Sequence, residues 1–535
     1  MKEAETSRSI TLEASARSLG PVGAGLGPAH SLSTSSAAPR AHRLAYHREG
    51  SGPQAGDNNA SLIRRASARP SPVRTIEPRT AICSSAHQSS SPSRAIKATH
   101  FSRAALSALA TVFLLAAAAS LAAQTTSQVI DVDHGANTPA QQAKHYVVLV
   151  SLDGFRWDYA AKYGATNLAQ IAAEGASAPE GMIPSFPSIT FPNHLAIVTG
   201  LYPEHHGIID NNFYDPARKE KYTSRDASVQ DGTWYRGVPL WVLAEKQGMR
   251  SACFFWPGSD ADIDGTRPSH YLRYDGKNPY EQRVDQVIAW LKLPPAQRPH
   301  FITLYFSEPD STGHETGPES EQTAAAVRRV DTIVGTLAAG LKELHLPVDL
   351  IVVSDHGMET VQGNWIDLDK FTDLSQFVTI KNEPLLYPPD EEAAARAYQQ
   401  LKGASDKFVV YRRADVPARL HFNENPREGD PVVIPTGPYM IRAHASETPE
   451  IVQPTVKGEH GYDPSQMKSM RSIFYAEGPD IIGRIELPPF ENVDVYPLIA
   501  EILGLKIGKI DGQLDGLQFI LKARAAKSAV AAKSN

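Results

Sequence analysis

From residue 145 onward, short β-branched apolar runs alternate with longer stretches whose apolar positions recur at helical spacing. That alternation predicts an α/β fold, a mostly parallel sheet sandwiched by helices. Three runs, at 146–151, 301–306 and 350–354, are apolar enough throughout to read as buried strands. Apolar spacing over 324–344 predicts a long helix packed on the sheet, and 279–291 predicts another. Residues 364–455 are broken by prolines, with a helical stretch at 391–401 and strand-like runs at 408–411 and 419–422. They read as a small α+β subdomain inserted into a catalytic body spanning 140–522. No internal repeat is visible.

The first 103 residues show neither period and are rich in Ser, Ala, Arg, Pro and Gly, so ordering them would bury too little apolar surface to offset the entropy lost. They read as a disordered leader. Behind Arg103, residues 104–123 form an apolar run ending in small residues, which predicts a secretory signal peptide. An uncleaved anchor is the other reading, since about 20 apolar residues span a bilayer. The Ala/Lys-rich stretch 523–535 reads as a disordered tail. Export predicts a periplasmic or secreted protein that meets a membrane only through its leader, if that stays attached.

Charge sharpens this division. The formal net charge is -6, but residues 1–123 hold 14 Lys and Arg against 6 Asp and Glu, and the rest hold 39 against 53. An acidic body argues against a stable nucleic-acid partner. The two cysteines, Cys83 and Cys253, cannot pair within the body once the leader is removed. An exported fold of this kind relies on its core or on metals.

The chemistry-bearing residues cluster behind the three strands. Asp153 follows the first, Asp310 and His314 the second, Asp355 and His356 the third, and His460 sits in a later Gly-flanked loop. Ligands of open α/β sheets bind beyond the carboxyl ends of the strands, so these clusters converge on one edge. Carboxylate oxygen and imidazole nitrogen suit zinc. Asp153 also has a plainer reading, as the Asp of an Asp-Gly turn. His194, His205 and His206 read as packing residues or as supports behind the ligands. Prolines 184, 187 and 192 stiffen a loop that enters a helix near Thr190 and stops at Gly200. Free backbone N–H groups at such an entry favour anions, and a metal can activate a hydroxyl there. The alternative makes Thr190 an ordinary N-cap.

Taken in order, the runs at 152–156 (Leu-Asp-Gly-Phe-Arg), 190–194 (Thr-Phe-Pro-Asn-His), 199–208, 255–259, 310–314 (Asp-Ser-Thr-Gly-His), 354–358 (Ser-Asp-His-Gly-Met) and 459–463 resemble the nucleotide pyrophosphatase/phosphodiesterase family of the alkaline phosphatase superfamily. The resemblance covers roughly 145–520. It implies an alkaline-phosphatase-like fold and two zinc ions. One zinc would be held by Asp153, Asp355, His356 and the Thr190 hydroxyl, the other by Asp310, His314 and His460. It implies that Thr190 is the nucleophile, that the Asn211 amide stabilises a phosphoryl oxygen, and that a phospho-threonine diester forms and is hydrolysed. The substrate would be a small-molecule nucleotide or another phosphodiester, gripped by Phe191, Tyr274 and Tyr305 with Trp256, Pro257 and Asp260 around them. Nucleoside 5′-monophosphates would be released. The competing reading within the family is a lysophospholipid or choline-phosphodiester hydrolase. A sulfatase is excluded because 190–194 lacks the Cys/Ser-x-Pro-x-Arg setting, and a monoesterase is disfavoured because neither a Ser nucleophile nor an Arg follows Ile189.

Overall fold

Seven consecutive buried residues, Tyr146–Leu152, form the central strand of a nine-stranded sheet. The computed structural model describes residues 127–445 and 455–522. The expected leader, signal peptide and tail lie outside the described residues, as do residues 446–454. In chain order the sheet strands are β1 (Ile130–Asp131), β2 (Tyr146–Leu152), β3 (Ala176–Ser177), β4 (Ser251–Phe254), β5 (His270–Leu272), β6 (Phe301–Phe306), β7 (Val348–Val353), β8 (Phe474–Glu477) and β9 (Ile485–Glu486). Their spatial order is β1-β5-β4-β6-β2-β7-β8-β3-β9. The middle five, β5 to β7, run parallel. At the flanks β1 is antiparallel to β5 and β8 antiparallel to β7. The expectation of a mostly parallel α/β sheet holds.

The strand period of two divides the core. Val148 and Val150 of β2 point into a cluster with Val284 and Val287, Val327 and Val334, and Leu168 and Ile171. Val147 and Leu149 point into another with Leu195, Val198, Leu498 and Leu503. Of helices α1 (Thr166–Glu174), α2 (Thr190–Thr199), α3 (Tyr280–Leu291), α4 (Asp310–Thr316), α5 (Glu321–Glu343), α6 (Glu391–Leu401) and α7 (Val495–Leu503), all but α4 and α6 supply these partners. Burying a Val or Leu contributes about 1.5–3 kcal/mol, more than the side-chain entropy it loses, so a strand covered on both faces is strongly held. The helix predicted at 324–344 is α5. It begins three residues earlier because the Ser320 hydroxyl caps the Thr323 amide at 3.1 Å.

A third apolar cluster, with Leu368, Leu386, Leu401, Phe408 and Ile441, gathers the segment read as an insertion. Its helix and its strand Phe408–Tyr411 form as expected. The strand expected at 419–422 does not. Ala418–Leu420 is a 3-10 turn behind Pro417, and His421 has a φ of 47°, which a strand cannot accommodate.

Candidate metal centre and active site

The parallel strands deliver their acidic and imidazole residues to one edge. Asp153 follows β2 directly and Asp355 follows β7 by one residue. Asp310 opens α4, whose turn puts His314 on the same face at i+4. Gly154 between them has a φ of +65°, and a Cβ there would stand 2.8 Å from Asp310 Cβ. The turn reading of Asp-Gly is therefore correct as local structure. It brings the Asp153 and Asp310 backbones together and lets the Gly154 amide donate to Asp355 Oδ1 at 3.1 Å.

Six of the expected ligands fall into three groups linked through His356 and His460: Asp153 with Asp355 and His356, Asp310 with His356 and His460, and His314 with His460 and Glu459. His356 Nε2 lies 3.0 Å from Asp355 Oδ2 and 3.5 Å from Asp153 Oδ1. Asp310 Oδ1 lies 3.4 Å from His314 Nε2 and 3.7 Å from His460 Nε2. Each imidazole is oriented through its other nitrogen, which meets a backbone carbonyl: His356 Nδ1 that of Gly357 at 2.9 Å, His314 Nδ1 that of Gly458 at 2.8 Å, and His460 Nδ1 that of Ser188 at 2.9 Å. A proton held at Nδ1 leaves the Nε2 lone pair facing the cluster, the form that ligates metal.

The electrostatics mark an unbalanced site. Burial, then Asp355 and Asp310 nearby, pushes the Asp153 carboxyl well above its ordinary range. Burial also works against ionised Asp355, yet His356 and His194 hold it well below. Among the described residues, Asp153 Oδ1, Asp310 Oδ1 and Asp355 Oδ2 are buried without a hydrogen-bond partner of good geometry, and each is the oxygen that faces a histidine Nε2. Unpartnered buried carboxylate oxygens are costly unless a cation meets them. The donor set of carboxylates and imidazoles, the latter ligating in their neutral form, fits divalent zinc.

Thr190 is the first residue of α2, and Ile189, which precedes it, makes no side-chain cap. The hydroxyl does not cap the helix. It points at the cluster, with Oγ1 3.3 Å from His356 Nε2. Asn211 accepts the Phe191 amide on Oδ1 at 2.9 Å, which fixes its side chain beside Thr190 and leaves its NH₂ to donate. His194 lies behind the site, with Nε2 against Ser151 Oγ at 2.8 Å and Nδ1 against the Thr190 carbonyl at 2.8 Å. His205 pairs with Asp511 and His206 with the Pro192 carbonyl, both away from the cluster.

A cavity of about 630 Å³ opens beside Thr190 and is lined by all six expected slot residues, Phe191, Trp256, Pro257, Asp260, Tyr274 and Tyr305. They are not equivalent. Tyr274 is 57% exposed, but Trp256 is 1% exposed, its indole edge against His194 and its Nε1–H on the His194 carbonyl. The Tyr305 hydroxyl donates to Asp153 Oδ2 at 2.5 Å, so that ring is a wall tied to the acidic cluster. Phe255, whose φ of 64° turns it toward Tyr274, is a slot residue that the pattern alone does not single out. Glu459 is another addition: it shares a ligand-distance group with His314 and His460. Its place at the head of the 459–463 run, next to His460, is the sequence signal for it.

Residues 147–463 match the family described as type I phosphodiesterase/nucleotide pyrophosphatase. Over 397 residues the chain is 37% identical to human ectonucleotide pyrophosphatase/phosphodiesterase family member 1, covering 70% of this chain and 42% of that protein. It is 36% identical to venom phosphodiesterase of Naja atra, covering 70% and 46%. The chain thus spans less than half the length of these curated relatives. Among solved structures, murine ectonucleotide pyrophosphatase/phosphodiesterase 5 superposes with a TM-score of 0.66 at 30% identity, covering 71% of this chain and all of that one. An inactive Thr-to-Ala variant of the same murine protein, in complex with AMP, superposes equally well. The alkaline-phosphatase-like fold expected from sequence agrees with these neighbours.

Proposed function

This chain belongs to the type I phosphodiesterase/nucleotide pyrophosphatase family, and from that premise we infer that it is an exported zinc-dependent enzyme hydrolysing phosphodiester and pyrophosphate bonds of nucleotides. The observation that carries the reading is the Thr190 hydroxyl at the head of α2, 3.3 Å from His356 Nε2 and beside three partnerless buried carboxylate oxygens. Asp153, Asp355, His356 and Thr190 would hold one zinc, and Asp310, His314 and His460 the other. Bound zinc supplies an acidified hydroxyl and neutralises charge on the attacking and leaving oxygens.

The chain's own groups do the rest. Thr190 Oγ attacks phosphorus in line, expels the leaving oxygen and forms a phospho-threonine diester, which water then opens to release the nucleoside 5′-monophosphate. The Asn211 NH₂, with its carbonyl held by the Phe191 amide, donates to a non-bridging oxygen as charge builds there. The positive end of the α2 dipole lies on the same side, although the Phe191 amide is spent on Asn211 and Pro192 has no N–H. Phe191, Phe255 and the exposed Tyr274 offer apolar ring surface for a nucleobase. Names of relatives beginning "ecto" and "venom" support the secreted side of the periplasmic-or-secreted expectation.

The test compares bis-p-nitrophenyl phosphate, p-nitrophenyl phosphate and the p-nitrophenyl ester of thymidine 5′-monophosphate, using wild type and Thr190→Ala. The reading requires the thymidine ester to be preferred and the variant to be inactive. Preference for the monoester, or full activity without Thr190, would overturn it.

A further inference from the structure

At the end of the sheet opposite the catalytic edge, three residues far apart in the chain come together. His145 stands immediately before β2, Asp349 is the second residue of β7, and Asp480 follows β8 by three residues. Strands β2 and β7 run parallel and β8 runs antiparallel to β7, so the starts of the first two meet the end of the third. The whole length of β2 separates His145 from Asp153, roughly 25 Å at about 3.3 Å per residue, so this cluster is remote from the candidate active site.

The three side chains form a ligand set. One donor atom from each lies within 4.8 Å of the others, the spacing that also holds within the groups of the active site. His145 Nδ1 is 2.6 Å from Asp480 Oδ2. The Asp349 carboxyl is fully buried, and its Oδ1 accepts the Asp480 amide at 2.9 Å. Its Oδ2 has no hydrogen-bond partner among the described residues. Lys522 is close enough to be felt at Asp349, but its Nζ rests on the Gly478 carbonyl at 3.2 Å. Gly478 permits the approach of the Asp480 loop, since a Cβ there would stand 2.3 Å from Asp349 Oδ1. A buried carboxylate oxygen left without a partner costs stability unless a proton or a cation meets it. Burial pushes Asp349 up to about 8, and the neighbouring Asp480 carboxyl adds to it, as two acids sharing one place do.

We propose that His145, Asp349 and Asp480 form a further divalent-cation site, which takes zinc with water completing the coordination and ties the starts of β2 and β7 to the loop after β8. Two carboxylates and one imidazole are donors that zinc accepts, and three protein ligands leave a position for water. His145 and Asp480 are partly exposed, with 39% and 26% of their side-chain surface open to solvent, so an ion can enter and leave. That openness makes the site weaker than the buried catalytic cluster: it fills at micromolar zinc and empties on gel filtration. Its role is structural. Among the described residues Cys253 is a free thiol, so no disulfide ties these strands, and a cation does so instead.

The experiment adds zinc at micromolar concentrations to tag-free enzyme that already carries its catalytic metals, in wild type, His145→Ala and Asp480→Asn. Isothermal titration calorimetry counts the ions taken up, and thermal unfolding reads their effect on the fold. Wild type is expected to bind one zinc per chain more than the variants at the same free concentration, with Tm raised by mass action. Either substitution weakens that uptake by at least about tenfold and removes the rise in Tm, while turnover of the thymidine ester without added zinc stays at the wild-type level. Crystals soaked in zinc show an anomalous peak between the three side chains. No uptake by wild type beyond the catalytic metals would mean that a proton bridges Asp349 and Asp480, and would overturn the proposal. Uptake that is unchanged in both folded variants would overturn it as well.

Discussion

Thr190 Oγ1 and His356 Nε2 stand 3.3 Å apart, although 166 residues separate them in the chain. One is set by the first turn of a helix, the other by the loop after a parallel strand. On the proposed reading Thr190 is the nucleophile, and its hydroxyl would be activated by the ion that the imidazole would hold. Thr190→Ala is expected to lower kcat on the thymidine ester by roughly 10³-fold or more, with unfolding unchanged. Thr190→Ser, which keeps the oxygen, retains measurable turnover. Stopped-flow release of p-nitrophenol checks both.

The three partnerless carboxylate oxygens predict that cations stabilise the fold as well as the reaction. Elemental analysis of purified enzyme is expected to give two zinc per chain, and Asp355→Asn fewer. Chelation is expected to abolish turnover and lower Tm, since a ligand bound only by the native state adds stability by mass action. Restoring zinc restores both.

Tyr305 tests the wall of the slot separately from its surface. Its hydroxyl orients Asp153 at 2.5 Å, so Tyr305→Phe removes that hydrogen bond and leaves the ring. Zinc affinity is expected to fall by about 10- to 100-fold, the usual cost of losing support behind a ligand. KM for the thymidine ester measured at saturating zinc changes little. Competition with a chelating dye reads the first and steady-state kinetics the second.

His206 gives a pH dependence outside the catalytic cluster. Burial above all lowers it from 6.5 to about 3, and its ring is spent on the Pro192 carbonyl and the Ile208 amide. The folded form therefore keeps it neutral while the unfolded chain protonates it below about 6.5. Stability from this group is complete above that pH and is lost as pH falls toward 3, at a limiting slope of about 1.4 kcal/mol per pH unit. Urea unfolding at pH 7 and pH 5 is expected to show a steeper loss for wild type than for His206→Gln.

Much of this architecture was legible from periodicity. Strands covered on both faces have to be apolar throughout, which is why the runs at 146, 301 and 350 stood out and why the acidic residues behind them could be placed at one edge. The two-residue strands Ala176–Ser177 and Ile485–Glu486 carry no such signal, because only their neighbours define them. The strand misread at 419–422 has apolar alternation but a left-handed His421, a backbone feature that side-chain pattern does not encode. Asp210, Glu383 and Glu428 were invisible for another reason. None belongs to a motif, Asp210 and Glu383 lying in loops and Glu428 at the end of a 3-10 turn, and only the packing of the segment from residue 364 against the core brings them to one cavity beside His314 and His460. Tyr274 and Tyr305 could be matched to the slot by motif, but their division into exposed surface and buried wall depends on which partner holds each ring.

The stereochemical course at phosphorus tests the central claim most directly. A thymidine 5′-phosphorothioate ester, chiral at phosphorus and hydrolysed in labelled water, distinguishes one displacement from two. Attack by Thr190 followed by hydrolysis of the phospho-threonine diester consists of two in-line steps, so the account predicts net retention. Net inversion would mean that water attacks the substrate directly, and would contradict the role given to Thr190.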